Sequence, residues 1–352
     1  MSLKAEIDAA SRKAAQQQTE HTSLRAALHR ISKERDALER QLALIERLEE
    51  AKPTRPDWLA PPKAKGALHR ATLCLLLTDT HFDEVVDPGE VDGLNAYNRA
   101  IAELRLRRAI ERTILMARTY MSGVQYDGVM LFLGGDIFSG NIHEELARTN
   151  ADTLFGSILH WLGPMGAAIG MLADEFQRVH LAVTPGNHGR MTRKPIAKHR
   201  ATDNLDWLFY NLLARDFARD DRVTWSLPKA ADTHVSVYAT RYLLTHGDQF
   251  RGGSGISGAL APLMLGTHRK TRRQAAAGRP YDVMVMGHWH QYLSLPSKGL
   301  LAGGCLKGYD EYAYVSNFDY TPPTQALWLT TPEYGPGLGV EIHVQDRKAE
   351  RW

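Results

Sequence analysis

"VHLAVTPGNHGRMTRKP", residues 179–195, changes character abruptly halfway along. Val179 to Val183 is a β-branched and apolar run of strand length, and Pro185-Gly186 stops it. A strand apolar along its whole length is covered on both faces, as in the sheets of α/β proteins. Two good ligand side chains, Asn187 and His188, follow the turn at once. Arg190, Arg193 and Lys194 come next, with no acid among them.

The same change recurs along the chain. The run Thr72–Thr78 ends in LLLTDTH, with Asp79 and His81. Val129–Leu133 ends in LFLGGD, with Asp136 after two glycines. His234–Thr245, broken near Ala239-Thr240, ends in LLTHGD, with His246. Asp282–Met286 ends in MVMGHWH, with His288 and His290. Helical stretches, Ala96–Met121, Asp152–Trp161 and Asn204–Phe217, lie between these runs, and the alternation predicts an α/β fold. In such folds ligands bind beyond the carboxyl ends of the strands. Glycines beside four of the five tips, in GGD, PGNH, HGD and MGHWH, let the chain turn and approach closely.

The residues that converge there are oxygen and nitrogen donors with no thiolate among them. That composition suits Mn, Fe or Zn rather than a cysteine-rich structural zinc site or an all-oxygen calcium site. The donors are too many for one transition metal. A pair of metals bridged by a carboxylate fits them, and such pairs serve hydrolysis of phosphate esters. Each fragment alone is weak, since an isolated Asn-His after a glycine is usually only a turn. Their order, each behind an apolar run, gives the set its weight.

DTH, GGD, GNH, THGD and GHWH, in this order, resemble the calcineurin-like metallophosphoesterase superfamily, over about residues 72–292. The resemblance implies two mixed β-sheets packed as a sandwich flanked by helices. By the same resemblance Asp79, His81 and His290 hold one metal, Asn187, His246 and His288 hold the other, and Asp136 bridges them. His188 faces the scissile phosphate, stabilising charge or protonating the leaving oxygen. The implied cofactors are two divalent transition metal ions, manganese first, with iron, zinc or nickel as alternatives. Activated between them, a bridging hydroxide attacks the phosphate. Two departures stand out. Many relatives carry an acid after GNH, where this chain has Gly189 and Arg190. Many also carry an acid or amide just beyond the bridging aspartate; here GGDIFSGN offers Asn141 at a different spacing, and His143 nearby.

The cations suggest the substrate. Arg190 is placed by sequence beside the phosphate as a second catalytic group. Arg193, Lys194, Lys198 and Arg200 could track neighbouring phosphates, as a polynucleotide offers. Arg269, Lys270, Arg272 and Arg273 would extend that surface, although charge runs are often plain solvated surface. The expected function is a metal-dependent phosphodiesterase or nuclease acting on DNA or RNA. A phosphomonoesterase for a small nucleotide or phosphoprotein is the alternative, and a non-catalytic scaffold of the same fold is a third. The glycine-rich RGGSGISG (251–258) is either a loop over the site or a connector.

The whole chain of 352 residues, 43% hydrophobic and 24% charged with net charge +3, reads as an ordinary globular protein. Cys74 and Cys305 are too few for a disulfide framework, and Cys74 reads as reduced core. No leader and no apolar stretch near membrane-spanning length are apparent, so a cytoplasmic protein without a membrane partner is expected. Residues 1–50 lack Gly and Pro and carry a seam, Leu24, Leu28, Ile31, Leu38, Leu42 and Ile45, interrupted by Arg35. The spacing predicts an amphipathic helix that forms a homodimeric coiled coil or lies on a domain surface. Residues 51–70, with Pro53, Pro56, Pro61 and Pro62, read as a stiff linker, and residues 71–352 as the metallophosphoesterase domain.

Overall fold

The computed structural model describes residues 3–50, 69–251 and 260–352, and within the first range it describes side chains at 12–13 and 17–43. The proline-bearing stretch and most of RGGSGISG lie outside the described residues. The chain divides into two units, Met1–Thr54 and Arg55–Trp352.

The first unit holds one helix, α1 (Leu3–Glu50), 48 residues long. At 1.5 Å per residue it extends about 70 Å. Leu24, Leu28, Ile31, Leu38 and Leu42 stand exposed along it. Arg35, at the interrupted seam position, pairs with Asp36 and Glu39. Ile45 lies outside the described side chains.

The second unit begins with β1 (Arg70–Leu77), so Arg70 belongs to the sheet rather than to a linker. Next come α2 (Arg99–Leu115), closed by a π turn over Met116–Tyr120, and β2 (Gln125–Leu133). They are followed by α3 (Glu144–Thr149), α4 (Leu154–Phe176), β3 (Val179–Val183), α5 (Leu205–Asp216) and β4 (Val223–Ser226). The second half runs β5 (Asp232–Val237), β6 (Thr240–Thr245), α6 (Leu260–Ala276), β7 (Val283–Met286), β8 (Leu293–Leu295) and β9 (Leu300–Ala302). It ends with α7 (Glu311–Val315), β10 (Thr324–Thr331), β11 (Gly335–His343) and α8 (Arg347–Glu350).

The strands form two mixed sheets, β11-β10-β1-β2-β3-β4 and β5-β6-β7-β9-β8. Alternation within the apolar runs explains how they stack, because successive side chains point to opposite faces. Cys74, Leu76, Met130, Phe132 and Trp328 of the first sheet meet Val235, Tyr242, Leu244, Val283 and Val285 of the second in one core. The indole of Trp328 stacks on Phe132 at 5.4 Å and donates to the Tyr242 hydroxyl at 3.1 Å. The alternate residues, among them Leu75, Leu131 and Leu181, face α2, α4 and α5 through Leu106, Ile169, Leu172 and Phe209. On the far side of the second sheet, Leu243, Met284 and Met286 pack with Leu263 of α6. The architecture is therefore the expected α/β sandwich flanked by helices. Cys74 is buried and free, its thiol pushed up to about 12 by burial.

Helix starts follow their caps. Asn98 accepts from Ile101 N at 3.0 Å and Asn204 from Asp206 N at 2.9 Å, each just ahead of its helix. Sequence reading misplaces α4, ending it at Trp161. The helix instead continues through Pro164 to Phe176, because Met165, Ile169, Leu172 and Phe176 sustain the buried stripe beyond the proline. At 23 residues it is also long and apolar enough to cross a membrane by length and composition, contrary to the expectation that no stretch comes close. Gly163, Pro164, Gly166 and Gly170 conceal its continuity in the sequence. Its inner face packs on the first sheet.

Candidate metal centre

Strand register builds the site. Leu77 pairs with Leu133 and Leu133 with Val183, so β1, β2 and β3 end level. Thr245 pairs with Met286 and Met286 with Ala302, so β6, β7 and β9 end level as well. The turns that follow are stitched together. Asp79 N donates to Gly135 O at 3.1 Å, His81 N to Asp136 O at 3.0 Å and Gly287 N to His246 O at 3.1 Å. Across the two sheets His288 N donates to both Asp79 carboxylate oxygens, at 3.0 and 2.9 Å. Asp79, His81, Asp136, His288 and His290 all have positive φ, between 45° and 71°. Non-glycine residues enter this region rarely and cluster at functional sites when they do. Gly186 is required at its place, since a Cβ there would lie 2.0 Å from Asp136 Oδ1.

Asp136 stands between two donor sets. With His81 and His188 it forms one group of ligand atoms lying within 4.8 Å of one another, and with His246 and His288 it forms a second. Its Oδ2 is 3.0 Å from His246 Nε2, and its Oδ1 accepts from His188 N at 2.7 Å. His81 Nε2 lies 3.2 Å from His290 Nε2, and His290 Nε2 lies 3.5 Å from Asp79 Oδ1. Asn187 Oδ1 is 3.1 Å from His246 Nε2.

The facing atoms are arranged as a cation would require. His246 Nδ1 donates to Gly134 O at 2.8 Å, and His81 Nδ1 faces Glu84 Oε2 at 3.3 Å. With those nitrogens carrying the protons, the Nε2 lone pairs face other lone pairs: an amide oxygen and a carboxylate for His246, a second imidazole for His81. Such acceptor–acceptor contacts are resolved by a shared proton or a positive ion, and the carboxylate–histidine pairing is that of metal ligands. Burial alone lowers the His246 imidazole, but the charge and hydrogen bond of Asp136, helped by Asp79, overcome it and push it up to about 10. Burial brings His81 and His288 down to about 4, which suits neutral ligands. The seven ligand residues expected from the motifs thus meet in one place.

His188 takes a separate stance. Its Nδ1 donates to Ser139 O at 2.8 Å, leaving Nε2 as the ring's other nitrogen, and its ring packs edge-on to His81 with centroids 4.6 Å apart. An acid beside this turn comes from another element. Asp206, on the first turn of α5, accepts from Asp136 N at 3.0 Å and Gly186 N at 2.9 Å. Gly189 makes room for it: a Cβ there would lie 2.3 Å from Asn204 Oδ1 and 3.1 Å from Asp206 Cγ. Burial and the Asp136 charge push the Asp206 carboxyl up to about 7.

The cationic residues divide. Arg190 spends its guanidinium on its own loop, donating to Thr192 O, Asn187 O and Arg193 O at 2.9 to 3.0 Å. Arg200 pairs with Asp248 of the THGD motif and Arg193 lies 3.8 Å from Glu144. Lys194 and Lys198 are exposed, on the loop that follows Asn187. In α6, Lys270 is buried on Asp232 at 2.7 Å and so leaves the open surface, while Arg273 pairs with the same carboxylate but stays exposed, as do Arg269 and Arg272. His143 is exposed with its ring 6.0 Å from that of His188, and Asn141 bonds Asn150.

Sequence reading misses four residues that build the site. Glu84 holds His81. Gln325 clamps the β1 tip, accepting from Thr78 N at 2.8 Å and donating to Thr78 O at 3.1 Å. Asp206 supports the bridging residue. Cys305, its thiol donating to Asp79 O at 3.1 Å, places Sγ within 4.8 Å of the His81 and His290 nitrogens, so the donor cluster does contain sulfur. Of the four, Glu84 has a local signal, three residues after His81; the others arrive from distant elements.

Neither a protein-family model nor a curated protein sequence matches the chain. Among solved structures it is similar to a dimetal phosphatase from Danio rerio, at 12% identity over 78% of this chain and 99% of that one, with a TM-score of 0.36. It is similar to an archaeal phosphodiesterase at 14% identity over 77% and 99%, TM-score 0.34. A predicted phosphoesterase from Streptococcus pneumoniae matches at 11% identity over 77% and 97%, TM-score 0.31. At this level of likeness the chain's own strand-tip residues carry its functional assignment.

Proposed function

We propose that the chain is a two-metal-dependent phosphoesterase, and within that class a phosphodiesterase that hydrolyses DNA or RNA. The observation that supports this reading is Asp136, whose carboxylate lies with the His81 and His188 nitrogens on one side and the His246 and His288 nitrogens on the other. Asp79, His81 and His290 would hold one divalent ion, and Asn187, His246 and His288 the other, with Asp136 common to both. Bound there, a pair of such ions supplies charge for the phosphate oxygens and lowers the pKa of water. Manganese is our first choice, with iron, zinc and nickel as alternatives. The protein's own groups do the rest. Glu84 fixes the His81 ring, and Asp206 holds the Asp136 and Gly186 amides so that the bridging carboxylate keeps its place. His188, its Nδ1 committed to Ser139 O, presents Nε2 to hold or deliver a proton at the leaving oxygen.

Lys194 and Lys198 favour a polyanionic substrate, because they stand exposed on the loop that also carries Asn187 and His188. The test is a digestion panel of the full chain supplied with manganese, using single-stranded, duplex and hairpin oligonucleotides beside p-nitrophenyl phosphate. Metal-dependent cleavage of an oligonucleotide supports the diesterase. Cleavage of the monoester alone replaces it with a phosphatase, and no hydrolysis of either leaves a scaffold.

A further inference from the structure

Between β9 and β10 the chain runs GGCLKGYDEYAYVSNFDYTPP, residues 303–323, and this segment is fastened to the metal centre at both ends. Lys307 is buried with Nζ on Glu84 Oε1 at 2.7 Å and on Asp310, and Glu84 faces His81. Asn95 Nδ2 donates to the carbonyls of Lys307 and Tyr309, at 2.9 and 2.7 Å. At the other end Thr321 Oγ1 donates to the carbonyl of His290 at 3.2 Å. The middle is held too, by Phe318 N on Ala313 O at 3.0 Å and the Tyr309 hydroxyl on Phe318 O at 2.9 Å.

This fixed backbone turns aromatic rings outward. Tyr312 is 67% exposed, Phe318 54%, and Tyr314 and Tyr320 each 43%, beside Val315 at 84%. Tyr312 and Phe318 meet edge-to-face, centroids 5.7 Å apart and planes at 81°, so the contact occupies one face of one ring. Tyr314 and Tyr320 pack on the buried Tyr309, so the five exposed apolar side chains share one short, fixed segment. Aromatic rings beside a centre that binds phosphate are the means by which proteins hold unpaired bases, whatever the sequence.

We propose that Tyr312 and Phe318, with Tyr320, form a stacking platform for unpaired bases of a single-stranded nucleic acid whose phosphate lies at the metal centre. The inference rests on the nuclease reading and deepens it. Continuity with the site selects this occupant over a protein partner: the platform is anchored to His290 and, through Lys307 and Glu84, to His81. The lysines follow Asn187, on the opposite donor group. A strand crossing both groups offers its backbone to the lysines and its bases to the rings. Asp319, exposed beside Phe318, repels phosphate there and leaves the rings to bases.

The test compares the full chain with Tyr312→Ala and Phe318→Ala, and with Tyr312→Phe and Phe318→Tyr as ring-preserving controls. Two quantities are read: KM for cleavage of a short single strand, and quenching of 2-aminopurine placed in that strand when the chelated, inactive protein binds it. Each alanine variant should raise KM about tenfold and lose the quenching. The ring-preserving variants, and hydrolysis of methyl p-nitrophenyl phosphate, should match the wild type. Unchanged KM and quenching in the alanine variants, with the wild type still cleaving the strand, overturns the platform and leaves the nuclease intact. A dimer that falls to monomer in the alanine variants also overturns it, making the patch a protein interface. A wild type that neither binds nor cleaves any oligonucleotide removes the nuclease reading, and the platform with it.

Discussion

At the scale of single residues, the arrangement depends on which nitrogen of each histidine is committed elsewhere. His81 turns Nδ1 to Glu84, His246 to Gly134 O and His188 to Ser139 O, and each thereby presents Nε2. Outer partners of this kind govern how tightly a ligand holds its ion. Glu84→Gln should therefore weaken metal binding about ten- to a hundredfold, measured by titration of the metal-free chain. Unchanged affinity would show that Glu84 serves only Lys307. His188→Ala should lower turnover by about a hundredfold or more while metal content per chain stays at the wild-type level. Loss of an ion from that variant would make His188 a ligand and remove its assigned role.

At the scale of elements, the interior strands β1, β2, β3, β6 and β7 are legible in the sequence because runs apolar on both faces belong to the inside of a sheet, whereas β9 and β10, interior as well, are missed. β3 spans the predicted Val179–Val183 to the residue, and the break near Ala239-Thr240 is the hairpin between β5 and β6. Among the edge strands β5 is legible through its hairpin with β6, while β4, β8 and β11 are not. β11 alternates little and carries three glycines, Gly335, Gly337 and Gly339, and β8 has only three residues; their pairing partners rather than their composition make them strands. The candidate ligands could be read because each follows a strand tip closely, whereas Asp206, Gln325 and Cys305 reach the site only through tertiary packing. One element carries a pH prediction. His180, buried in β3, faces Thr224 Oγ1 at 2.7 Å and Ser226 Oγ at 2.9 Å, and burial lowers its imidazole to about 4. The unfolded chain takes up this proton near pH 6.5 while the folded one resists it. Its contribution is therefore complete above about pH 6.5 and is lost as pH falls toward 4. His180→Gln should flatten the decline of Tm across that interval; a slope equal to the wild type would place the acid sensitivity elsewhere.

At the scale of the whole molecule, the chain divides into two units. The helix of the first unit exposes a leucine seam at heptad spacing, and such a seam is stable in water only when covered. We expect the chain to dimerise through it. Light scattering should give twice the chain mass, and Leu28→Asp with Ile31→Asp should halve it; a wild type that is monomeric at micromolar concentration rejects the dimer. The second unit brings six level strand ends from two sheets to one place, and there the catalytic account stands or falls. Anomalous diffraction from crystals of the full chain grown with manganese tests it most directly. The account predicts two peaks about 3.5–4 Å apart on either side of the Asp136 carboxylate, reduced to one or none in Asp136→Asn. A single ion in the wild type, or ions bound away from Asp136, would contradict it.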